Sequence, residues 1–464
     1  MKRAHPSLAA RASSDSTLGA RPASRAGVSV ARAAALIAVA SIAATATGDT
    51  IDPFLPTTVT VGDPDAIAAT PRLDGARTGQ SAEALPAVPT ELWRRSTGTV
   101  EAAPLVDGEG AIYLLTTAGE LTKVSADGKE LWHAKLTGSP VGTPILTSDG
   151  SVATLTSNGF VVAYGSDGRA RFSTPVGCRN TDPLVPVADG GVAVLASTTL
   201  ASSLVTLDGD GAITSETKLT MHASFPPIPT ADGWLVVEDD GAVMRVQPPN
   251  APRPLGSFAG LIEGGAVLAD ERTLLAVMHE RLLALDLKTG VLSARASINA
   301  VNGINGPPTV DADRTAYFTT TDGLLMAVDH TGKEVFRATL ERSSAAYTGY
   351  SPGGYYPGAY PPGYGYGYYT PRPDPPVLAG ADGRFAFLRN AGRFGLVDVT
   401  PVEVLVPGPP GPNGEKKDIS TTVLRPKVTV VNEHVCQTPV AVVPAGDKRV
   451  VVACREGIVA LFGE

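Results

Sequence analysis

From residue 91 to its end, the chain alternates short apolar runs with turn residues. The first copy opens on Ala103-Pro104-Leu105-Val106, turns at Asp107-Gly108, and runs apolar over 111–115. It turns again at Gly119, continues over 121–124, turns at Asp127-Gly128 and ends on Lys129-Glu130-Leu131-Trp132. The second copy keeps the order: Pro144-Ile145-Leu146, Asp149-Gly150, 152–155, Asn158-Gly159, 161–164, Asp167-Gly168, Arg171-Phe172. Runs this short, bounded by residues that tolerate φ > 0, predict antiparallel strands joined by tight hairpins.

Further copies begin at Pro183, Pro227, near Ala266, and at Pro308, Pro376 and Pro439, with steps from Pro104 of 40, 39, 44, 39, 42, 68 and 63 residues. Four strands at such a period predict a β-propeller, in which neighbouring blades bury the faces that one sheet cannot cover alone. Runs such as 274–277 and 450–453 are apolar throughout, as strands buried on both faces require. The eighth copy stops after its third strand, at Leu461-Phe462, while Glu91-Leu92-Trp93-Arg94-Arg95 stands ahead of the first and matches Glu130-Leu131-Trp132-His133. The expectation is therefore an all-β, eight-bladed propeller over 91–464. Its N-terminal strand supplies the fourth strand of the last blade and removes an open edge.

Ahead of the repeat, residues 1–32 hold six basic side chains against the single acid Asp15, and 33–48 (AAALIAVASIAATATG) are uncharged. That order reads as an export signal over 1–48. The apolar run is 16 residues long, short of the ~20 that cross a bilayer, so cleavage near 44–47 is favoured. Starting the run at Val28 would lengthen it to an anchor and hold residues 28–48 at a membrane. No adjacent Arg pair precedes the run and no lipobox cysteine follows it. Residues 49–90, rich in Ala, Pro, Asp and Thr, read as a flexible tether.

Composition narrows function more than it identifies it. There are 38 basic and 46 acidic side chains for a net charge of −8, which excludes a general nucleic-acid surface. The three cysteines, Cys178, Cys436 and Cys454, form no C-x-x-C, and the six histidines are scattered without H-E-x-x-H. Cys436 and Cys454 flank the first hairpin of blade eight, and two readings stand: a disulfide clamping the closing blade, or two separate buried thiols. The acidic runs Glu238-Asp239-Asp240 and 208–211 do not continue as a calcium loop, and turn duty explains them. His279 and His330 read as solvated turn residues.

The two long steps mark insertions at 341–375 and 401–435. The first carries nine of the twelve tyrosines among Gly and Pro (YTGYSPGGYYPGAYPPGYGYGYYTPRPDPP over 347–376), a composition that sustains neither helix nor strand. Tyr355, Tyr356, Tyr360, Tyr364, Tyr366 and Tyr368 would give a binding loop with stacking faces and hydroxyls; a low-complexity insertion that packs on nothing is the plainer reading. The second holds a Pro-Gly run at 407–414 and then 421–424 and 427–431, which predicts an extra hairpin or a delayed fourth strand of blade seven.

Leu283-Ala284-Leu285-Asp286-Leu287-Lys288-Thr289-Gly290, Met326-Ala327-Val328-Asp329-His330-Thr331-Gly332-Lys333-Glu334-Val335-Phe336 and Gly128-Lys129-Glu130-Leu131-Trp132 resemble the PQQ-like, quinoprotein-type propeller repeat. The resemblance implies one of two functions. Quinoprotein dehydrogenases hold pyrroloquinoline quinone and calcium in the central channel, with a vicinal Cys-Cys pair and stacking tryptophans. This chain has no adjacent cysteines, and Trp93, Trp132 and Trp234 fall at strand positions. The other branch is similar to the non-enzymatic propeller subunit of the outer-membrane β-barrel assembly machinery, nearer in size and in its lack of chemistry. The sequence thus implies a binding scaffold without a cofactor, exported to the periplasm or cell surface, recognising envelope proteins or a surface ligand through rim loops. A quinone-dependent oxidoreductase and adhesion through the tyrosine-rich loop are the alternatives.

Overall fold

The structure, a computed structural model, describes residues 62–464 apart from 71, 75–76, 178–183, 198–201, 224, 298–302, 321, 341–376, 390–391 and 411–415. The export segment, Cys178 and the tyrosine-rich insertion lie outside the described residues.

Eight four-stranded antiparallel sheets follow one another along the chain. Blade one pairs Leu105–Val106, Ile112–Leu115, Glu120–Val124 and Glu130–Lys135 in sequence order, and blades two to seven repeat that order. Blade eight is built from Pro439–Pro444, Arg449–Cys454, Ile458–Gly463 and, from the other end of the propeller sequence, Thr90–Ser96. Thr90 stands opposite Gly463 and Ser96 opposite Ile458, so the ring closes as the unmatched first and last runs require.

Burial explains why the ring forms. The hydrophobic core divides into eight clusters, each shared by two neighbouring blades. One joins Val106, Ile112 and Leu114 of blade one to Val451, Ala453 and Leu461 of blade eight, and so seals the closure. Second strands such as Ile112–Leu115 are buried at every position, whereas fourth strands such as Glu130–Lys135 alternate because their outer face meets water. Aromatic residues on those outer strands clasp the next blade. The Trp93 indole donates to Ala126 O at 3.0 Å, and that of Trp132 to Ser166 O at 2.8 Å. Each ring lies against the turn glycine of the neighbouring blade, Gly128 or Gly168, where φ is +85° or +80° and an added Cβ would meet the indole at 3.1 or 2.8 Å.

One part of the chain differs from the sequence expectation, and in a second the structure decides between two readings. Residues 62–89, expected within a flexible tether, are packed against the blades, and Ala68, Leu85 and Arg72 are buried. The physical reason is that the first strands of the blades leave unpaired N–H and C=O groups around the axis, and this segment satisfies several of them. Of the two readings of the insertion at 401–435, the structure shows the delayed fourth strand of blade seven and not a separate hairpin. The insertion lengthens the third and fourth strands of blade seven into Arg393–Pro410 and Lys416–Asn432, a ribbon that continues past Phe385, the first residue of the second strand, Phe385–Arg389.

Candidate functional site: the axial strap and the blade-seven ribbon

The strap, residues 62–89, reaches every blade. Ala68 and Val106 of blade one exchange backbone hydrogen bonds of 2.9 and 3.0 Å, and Leu146 N of blade two donates to Ala69 O at 2.8 Å. Gly62 packs beside Pro186 of blade three, and Ile67 against Gly446 of blade eight. Only three residues after Ala69, Arg72 donates to Pro308 O of blade six, which stands opposite blade two in an eight-membered ring. Ala69 and Arg72 are therefore bound to opposite sides of the ring. Arg77 then reaches Pro226 O beside blade four at 3.2 Å and packs against Gly265 of blade five. Thr78 O accepts from Val310 N at 2.9 Å in blade six, and Ala379 O of blade seven accepts from Ser81 N at 2.7 Å. The strap leaves the axis past Leu85, which enters the core between blades seven and eight.

Two buried guanidiniums hold this part of the strap in shape. Arg72 donates through Nε to Arg77 O at 3.1 Å and through Nη2 to Thr78 O at 3.2 Å, folding 72–78 back on itself. The Asp74 carboxylate accepts from Thr78 N at 2.8 Å and from the Thr78 hydroxyl. Burial pulls Arg72 down to about 10 and Arg77 to about 9, and it raises the Asp74 carboxyl. At neutral pH both guanidiniums stay charged, and each is a cation whose desolvation is offset by carbonyl acceptors.

The acidic turn residues are spent internally. Asp107 accepts from Lys123 Nζ at 2.9 Å and from the Tyr113 hydroxyl at 3.2 Å. Asp311 accepts from the Tyr317 hydroxyl at 2.6 Å with the same six-residue offset. Glu238 is buried and accepts from Thr220 N at 2.8 Å and Met221 N at 3.0 Å, while Asp208 caps its own turn through Asp210 N and Ala212 N. Trp234 is buried between blades three and four. Cys436 and Cys454 are joined as a disulfide with Cα atoms 6.0 Å apart, bridging the approach to blade eight to the end of its second strand. Beside it, Glu456 accepts from Gln437 N and Thr438 N. Tyr355, Tyr356, Tyr360, Tyr364, Tyr366 and Tyr368 lie outside the described residues.

Sequence reasoning passed over Arg72, Asp74 and Arg77, because a stretch of Ala, Pro, Thr and Gly carries no strand period. The available signal was the apolar residues Ile67, Leu73 and Leu85, which a solvated tether has no reason to hold.

A family model for the outer membrane protein assembly factor BamB matches residues 83–223 and 119–300, a span that covers blades one to five. Blades one to five thus match a family of PQQ-like propeller repeats. BamB from Moraxella catarrhalis superposes with a TM-score of 0.53 at 15% identity, over 82% of this chain and 98% of that one. The computationally designed Ika8 protein superposes with a TM-score of 0.53 at 12% identity, over 80% and 98%. No curated protein matches the chain. At these identities the likeness establishes the propeller fold.

Proposed function

We propose that this PQQ-like propeller is an exported, non-enzymatic scaffold of the cell envelope that holds protein partners on its rim and turn surfaces. The filled axis carries this reading. The strap occupies the channel with backbone hydrogen bonds to the first strands of blades one, two, six and seven, so the surfaces left for recognition are the loops and the blade-seven ribbon. The axial residues also do not suit a quinone with calcium. Arg72 and Arg77 would repel the cation, and Trp93, Trp132 and Trp234 are committed to contacts between blades. The match to an outer membrane protein assembly factor supports an envelope address.

Affinity capture from envelope extracts, run beside reconstitution with pyrroloquinoline quinone and calcium, tests the proposal. A partner retained by the full chain and lost when residues 400–425 of the ribbon are replaced by a short turn is the expected outcome, with no quinone chromophore formed. Dye-linked dehydrogenase activity after reconstitution would overturn it. Deleting 347–376 in the same capture separates rim recognition from adhesion through the tyrosine-rich segment.

A further inference from the structure

The blade-seven ribbon has two free edges of opposite character. Beyond Val397, which stands opposite Phe385, the third strand pairs with no strand on its inner side among the described residues, and the pairs from Asp398–Lys427 to Pro407–Asp418 form a two-stranded arm about 30 Å long. Along the third strand the free edge is broken by Pro401, Pro407, Pro409 and Pro410, which cannot donate to an added strand. The fourth strand reads Asp418-Ile419-Ser420-Thr421-Thr422-Val423-Leu424-Arg425. It has no proline here and no charge from 419 to 424. Ile419 is 48% exposed and Val423 36%. Natural sheets guard such edges with charge, proline or a bulge; here Asp418 at one end and Arg425-Pro426-Lys427 at the other leave 419–424 open between them.

We propose that the 418–424 edge pairs with the same edge of a second copy of this chain, joining two ribbons into a four-stranded sheet. Self-complementarity points to a second copy. Two identical edges can pair antiparallel only about a two-fold axis normal to the sheet, and side chains stay on their own faces only if opposed residue numbers sum to an even value. An axis through Thr421 meets that condition. It sets Ile419 opposite Val423 of the second copy, Ser420 opposite Thr422, and Thr421 opposite itself. Val406, Val404 and Val402 already stand opposite Ile419, Thr421 and Val423 within one ribbon. The joined sheet would therefore carry one continuous β-branched face from both copies. Moving the axis to Thr422 would set Ile419 opposite Arg425, and moving it to Ser420 would leave Ile419 opposite Thr421. The interface is smaller than that of an obligate dimer, so association is concentration-dependent. This inference does not rest on the scaffold reading.

Sedimentation of the full chain against Thr421→Lys tests it, with single cysteines placed in a Cys178→Ser background. The wild type is expected to pass from monomer to dimer with concentration. Thr421→Lys, which sets two ammonium groups together at the axis, is expected to weaken the dimer about tenfold or more with unchanged thermal unfolding. Mild oxidation should link Thr421→Cys into a covalent dimer and leave Asp418→Cys monomeric, because residue 418 sits six positions from its symmetry mate. A wild type monomeric at every concentration, a dimer indifferent to Thr421→Lys, or equal cross-linking of both cysteines would overturn the proposal. Loss of association on ribbon replacement with Thr421→Lys still dimeric would place the second copy elsewhere on the ribbon and overturn the pairing about Thr421.

Discussion

Arg72 donates to three backbone carbonyls, those of Arg77, Thr78 and Pro308, so its side chain both shapes the strap and ties it across the axis. Arg72→Ala takes this donor from the Arg77 and Pro308 carbonyls, while Thr78 O keeps Val310 N, and a loss of about 2–3 kcal/mol is expected in urea unfolding. Arg72→Lys should recover less than half of it, because an ammonium cannot reproduce the fork. A loss below about 0.5 kcal/mol would show the strap to be held by backbone pairing alone. Tyr113 offers a pH test. Burial pushes its phenol up to about 12, and burial likewise raises Tyr317. The folded state favours the protonated phenol, so this stabilisation is complete below pH ~10 and fades as pH rises toward about 12. The urea midpoint of the wild type should fall more steeply above pH ~10 than that of Tyr113→Phe. Parallel curves would rule out Tyr113 as the source. The Asp-Gly turn at Asp107 was readable from the sequence, but the Tyr113–Asp107–Lys123 contact needs the pairing register to bring Lys123 opposite Tyr113.

At the scale of single elements, period and turn chemistry foretold the blades, and they did not decide the segments that carry neither. The sequence of the 401–435 insertion allowed an extra hairpin as readily as a delayed fourth strand of blade seven. The structure continues one ladder from Val397–Val428 to Val406–Ile419, since prolines on an unpaired edge cost no hydrogen bond. Blade eight depends on an added covalent tie. Cys436 and Cys454 are 18 residues apart in sequence, and closing a loop of that size stabilises by about 3 kcal/mol. Reduction, or Cys454→Ala, should lower the unfolding midpoint by a comparable amount while far-ultraviolet circular dichroism stays unchanged. Full thiol labelling of both residues in the native chain without reductant would contradict the bond.

For the whole molecule, the strap and the Thr90–Ser96 strand act together, one fastening the ring across its axis and the other at its perimeter. A chain beginning at residue 90 should still form eight blades but melt earlier than one beginning at 62. Hydrogen exchange would locate the loss: the amides of Val106, Leu146 and Val310 give their bonds to strap carbonyls and should exchange fast without them. Unchanged protection at those three amides would show the strap to be passive filling.

The blade count and the circular closure were determined by the sequence itself, because each rests on local rules. Turn residues set the hairpins, apolar runs set the buried strands, and an unmatched run at each end leaves one way to complete the last sheet. What fills the axis was decided only by the tertiary structure. The carbonyls that receive Arg72 and Arg77 come from blades far apart in sequence, and no local pattern at 62–89 announces the ring of unpaired backbone groups that only the assembled blades create.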